Sequence, residues 1–117
     1  MMRELTVLHT KISQQEILKD IIVQLNKDLA LSNVGFEFDK EIHFEDFWID
    51  LVAVVRELLN KQYEKYLHFI YRIDIDERDL ITTDITPFSE VEEFVAYQIV
   101  RRIYKKVYFR KNFSTNS

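Results

Sequence analysis

Glycine and proline each occur once in this 117-residue chain, at Gly35 and Pro87. Tight turns draw on both residues, because glycine supplies positive φ and proline presets φ near −65°. A chain with one of each has few places to reverse sharply, so long helices are its natural elements. Gly35 and Pro87 also fall where hydrophobic periodicity is interrupted, and they cut the chain into three blocks.

In the first block, Ser13-Gln14-Gln15-Glu16 has the spacing of a capping box, with Ile12 and Ile17 at hydrophobic-staple positions. Leu18, Ile21, Ile22, Leu25 and Leu29 then recur at helical spacing, with Lys19, Gln24, Asn26 and Lys27 on the other side. The helix is expected to stop at Ser32-Asn33-Val34-Gly35, with the glycine near its C-terminal cap. From Phe36 to Phe44 the pattern changes to period two, which predicts an extended segment with one face on the core.

A second apolar stripe runs from Phe44 to Ile70 without a breaker, as one long helix or two joined by a kink around Asn60-Lys61. Pro87 opens the last helix, capped either by Thr86 or by Ser89 with Glu92 three residues on. The sequence therefore predicts an all-α fold. It is a three-helix up-down bundle over about 14–31, 44–72 and 88–110, with two extended connections. The alternative is α+β, with a small ribbon from 36–44 and 80–86, joined by 5–12. One domain over 1–117 is expected, with a frayed tail at 112–117.

Composition narrows function mainly by exclusion. The chain has no cysteine, so thiol nucleophiles and thiolate metal sites are out. A lone glycine cannot build a P-loop, a dinucleotide-binding turn or a nucleophile elbow, where backbone must approach phosphate or turn at a serine. His9, His43 and His68 fall in different elements, with neither the zincin spacing nor the Glu-x-x-His pair of di-iron bundles. No apolar run reaches the roughly 18 residues of a membrane span, and no apolar leader follows the first methionine, so a cytoplasmic protein is expected. No cofactor and no catalytic residue is predicted.

Three groups of residues stay in contention. Asp74, Asp76, Glu77 and Asp79 form the densest acidic cluster, a weak candidate for a hard cation. An EF-hand loop starting at Asp74 fails, because Asp79 and Ile85 stand where glycine and glutamate are required. The last 29 residues carry six Lys/Arg against three Glu, in a chain of net charge −4. Arg101, Arg102, Lys105 and Lys106 share one helix face with aromatics interleaved, a pattern suited to a phosphate backbone. The same cations also complement a helix macrodipole. Phe44, Phe47, Trp48, Val91, Phe94 and Val95 are apolar surplus on helix faces, an expected self-association surface.

The leading expectation is a non-catalytic interaction or scaffold protein that forms a homodimer or larger homo-oligomer. A nucleic-acid-associated protein using the last helix comes second, and a metal-dependent enzyme on the acidic cluster third.

Overall fold

The computed structural model describes residues 3–80, 88 and 90–113, with only the backbone at Glu77. The chain forms six helices: α1 (Arg3–Gln15), α2 (Leu18–Leu31), α3 (Phe44–Lys61), α4 (Tyr63–Ile73), α5 (Glu77–Leu80) and α6 (Val91–Phe113). Among the described residues there is no strand, so the protein is an all-α bundle. The predicted ribbon partner at 81–86 and the caps at Thr86, Pro87 and Ser89 lie outside the described residues.

The predicted stripes are real, but the helices break more often than one glycine suggests. Residues 14–31 do not form one helix capped at Ser13. Ser13 lies in the last turn of α1, and the next helix starts at Leu18. Glu16 takes a left-handed conformation (φ 53°), its N–H bonding the Ser13 carbonyl and the Ile17 N–H the Ile12 carbonyl. That paired pattern is a Schellman ending rather than a capping box. Both motifs join apolar residues five apart, so Ile12 and Ile17 fit either one, and both are buried.

The same device recurs twice. Asn33 (φ 62°), not Gly35, is the left-handed residue after α2, with Asn33 N–H to Ala30 O and Val34 N–H to Leu29 O. Asp74 (φ 64°) ends α4, with Asp74 N–H to Tyr71 O and Ile75 N–H to Ile70 O. The 44–72 stripe is two helices that break at Gln62 (φ −140°, ψ 53°), one residue beyond the expected kink. α6 stays helical through Phe113, two residues into the tail expected to fray.

Residues 34–39 are extended, but a turn at 39–42, closed by Ile42 N–H on Asp39 O, interrupts the segment that the alternation predicts, and Phe36, expected on the core side, is exposed. Phe38 and Phe44 are buried, whereas Glu37, Asp39, Glu41 and His43 face water. Among the described residues no strand pairs with this segment. Instead the Asn26 side chain donates to Phe38 O (2.9 Å) and accepts from Phe38 N–H (2.8 Å), a side-chain substitute for one rung of a β-ladder. Asn26 therefore faces the segment it holds, not open solvent as its place on the helical wheel implies.

One core joins α1–α4 and α6, with Ile21, Ile22, Leu25, Leu29, Phe47, Leu51, Ile73, Ala96, Ile99 and Ile103 fully buried. α6 packs against all five other helices and is the hub of the bundle. Among the described residues no helix is long and apolar enough to cross a membrane.

Candidate functional site

The surplus apolar residues go into the core, which corrects their assignment as an association surface. Phe44, Phe47, Trp48 and Val95 are buried, Phe94 is half-buried, and only Val91 is exposed. Their covers are visible in the ring contacts. His9 stacks on Phe44 at 4.0 Å, Phe38 meets Phe47 edge-on at 5.1 Å, and Phe88 packs on Phe94 and Tyr97. Of these covers His9 is remote from Phe44 along the chain, whereas Phe38 and Phe88 come from the segments just before α3 and α6.

The acidic cluster and the basic helix face, separate in sequence, meet across one cleft. Asp74, Asp76 and Asp79 line one side, and Gln98, Arg101, Arg102 and Lys105 the other, around about 430 Å³. Asp74 and Asp76 are held by guanidinium groups. Arg102 donates to Ile73 O at 3.2 Å and to Asp74 Oδ2 at 3.1 Å, which places a cation on the carboxy end of α4. Arg78 binds Asp76 through Nε and Nη2, the shortest contact being 2.7 Å, and these hydrogen bonds pull the Asp76 carboxyl down to about 2. The side chain of Glu77 lies outside the described residues. Among the described residues no three His, Asp or Glu side chains come together to hold a metal ion.

On its other flank the basic face continues onto α1. Arg3 and Lys11 from α1 share a cleft of about 310 Å³ with Tyr97, Arg101, Tyr104 and Lys105. Lys11, Tyr104 and Lys105 border a further cleft of about 770 Å³ together with Arg102, Lys106 and Tyr108. The three clefts share Lys105, so they form one continuous surface. Leu5, Leu8 and Ile12 build it by seating α1 in the core, which turns Lys11 toward α6.

Arg3, Lys11, Arg101, Lys105 and Lys106 have no carboxylate within 4 Å among the described residues. Partial burial, then the neighbouring Arg102, pushes the Lys106 ammonium below the ordinary lysine value, with the buried Asp28 and the exposed Asp74 pulling the other way. Tyr104 and Tyr108 stack at 5.7 Å and are half-buried, so their rings form wall rather than free platform. The α1 half of this surface is absent from the sequence reading, in which residues 3–12 form no helix. The periodic Leu5, Leu8 and Ile12 are the signal that marks it.

Compared with protein-family models, curated proteins and solved structures, the chain matches none.

Proposed function

We propose that the chain is a non-catalytic binding protein that takes single-stranded nucleic acid along the α1–α6 face. The observation that carries this reading is the run of five cations with no carboxylate within 4 Å among the described residues, beside three adjoining clefts of which two are walled by tyrosines. Cations in a row follow a phosphate backbone, and the half-buried tyrosines between them give bases an apolar wall to lie against. A single strand suits the shape better than a duplex. Helices that read duplex DNA protrude into its major groove, whereas α6 is the hub of the bundle and its basic face lies between α1 and the 74–80 segment.

The chain as a whole is acidic, so binding rests on this one face and is strongly salt-dependent. Fluorescence anisotropy with labelled oligonucleotides of both kinds, over a salt series, tests the reading. Replacing Arg101, Lys105 and Lys106 together by glutamine is expected to flatten the log K against log salt slope by about 2, at roughly 0.7 per lost phosphate contact. Absence of binding at low salt, or a slope unmoved by the triple substitution, overturns it.

A further inference from the structure

The largest of the three adjoining clefts has a lining of one sign. Lys11 from α1 and Arg102, Lys105 and Lys106 from α6 border its volume of about 770 Å³, and no carboxylate does. Arg102 is partly neutralised by Asp74 at 3.1 Å, whereas the three lysines have no carboxylate within 4 Å among the described residues. A cleft walled by one charge concentrates small ions of the other, and this one has the volume of a small-molecule site.

The three amines are not equivalent. Lys11 and Lys105 are exposed, whereas Lys106 is half-buried. Arg102 and Arg110 stand one helical turn before and after Lys106, on the same side of α6. Opposing charge reaches it from Asp28 on α2 and from Asp74 after α4, neither of them within ion-pair distance. Burial and like charge both favour the neutral amine, which is the nucleophilic form, and they hold the Lys106 ammonium below the ordinary lysine value. Exposed cations beside a half-buried amine suit an acyl donor that carries its acyl group on a phosphate. The cations hold the phosphate while the nitrogen meets the carbonyl carbon.

We propose that Lys106 is an acylation site whose donor is a small acyl phosphate held by Lys11 and Lys105. The ammonium first gives one proton to solvent. Its nitrogen then attacks the carbonyl carbon, so an N–C bond forms and the bond from that carbon to the phosphate oxygen breaks. The phosphate leaves with the electron pair and takes the second amine proton, giving an amide and hydrogen phosphate with no oxidant or reductant. The amide deletes one of the five cations of the α1–α6 face, which on the nucleic-acid reading weakens strand binding. The site itself does not depend on that reading.

The test incubates the full chain with acetyl phosphate at low salt and follows early acetyl occupancy at every lysine by mass spectrometry, with fragment ions that separate Lys105 from Lys106. Lys106 is expected to gain acetyl about tenfold faster than the exposed Lys27 and Lys40, the low end of what a cleft of one charge does to local anion concentration. Lys11→Gln with Lys105→Gln removes the docking cations at exposed positions and is expected to slow Lys106 several-fold. Salt at about 1 M, where the Debye length is about 3 Å, is expected to slow wild-type Lys106 in the same way. With p-nitrophenyl acetate, an uncharged donor, the double substitution is expected to leave the Lys106 rate unchanged, which also shows that the site is intact. Lys106 labelled no faster than Lys27 and Lys40, Lys105 labelled ahead of it, or a double substitution that fails to slow acetyl phosphate, or slows both donors equally, would each overturn the proposal.

Discussion

Replacing Glu16 by glycine separates two descriptions of residues 13–17 by the sign of the stability change. If Ser13 capped a helix, Glu16 would be its capping-box partner. Glycine would then remove the box, worth about 1 kcal/mol, and add a poor helix former. The expected change in that case is a loss of about 1–2 kcal/mol. In the observed fold Glu16 is left-handed at φ 53° and exposed. An L-residue there is disfavoured by about 1–2 kcal/mol, and glycine relieves that while losing roughly 0.5–1 kcal/mol more backbone entropy on folding. The net expectation is a gain of about 0.5–1 kcal/mol. With an unfolding entropy near 2.1 cal/mol/K per residue, each kcal/mol moves Tm by about 4 °C in a chain of this length. Thermal unfolding followed by far-UV circular dichroism should therefore show Tm rising by about 2–4 °C. Ser13→Ala provides a second sign test. It costs about 1 kcal/mol at a cap but gains a few tenths inside the last turn of α1, since alanine is the better helix former. Lys27→Gly, at an exposed mid-helix site, serves as the ordinary glycine cost of about 1 kcal/mol. If Glu16→Gly lowers Tm as Lys27→Gly does, the Schellman ending and the α1–α2 break are both refuted.

Other outcomes follow from the same physics. Asn33→Gly should gain less than Glu16→Gly, because asparagine already tolerates the left-handed region, and Tm ranks the two. Gly35→Ala should raise stability by about 0.4–1 kcal/mol in denaturant titration, since no positive φ or contact requires glycine there. Asn26→Ala strands the N–H and carbonyl of Phe38 and should cost about 1–3 kcal/mol by the same measurement. Tyr66 is buried, and burial followed by the nearby Tyr63 pushes its phenol up to about 12. Because this folded value lies above the unfolded one near 10, its stabilisation is complete below pH 10 and is lost as pH rises toward 12. Tyr66→Phe should remove on the order of 1–2 kcal/mol of that alkaline loss, read as a flatter stability profile between pH 10 and 12.

Much of the candidate surface was legible in the order of residues alone. Arg101, Arg102, Lys105 and Lys106 lie together because a helix repeats every 3.6 residues, which is a local rule. Arg3 and Lys11 join them only because Leu5, Leu8 and Ile12 dock α1 beside α6, about ninety residues away in sequence. The acids at 74–79 read as no more than a weak cation candidate, and the pairing of Asp76 with Arg78 is local, but that α6 supplies Arg102 to Asp74 is not visible in sequence.

By itself the sequence determined that this protein is helical, where its apolar stripes run, and that its 117 residues hold no glycine-rich phosphate or nucleophile motif. Those properties depend on local periodicity and on residues that are simply missing. Tertiary structure decided where the helices stop and which stripes are covered. Burial of Ile17, Val34 and Ile75 accompanies a left-handed turn at Glu16, Asn33 and Asp74, which asparagine and aspartate tolerate and which the propensity of Glu16 disfavours. The same packing removed Phe44, Phe47 and Trp48 from the surface. It left the one glycine lining an open groove, at a position where neither a positive φ nor a close contact requires it.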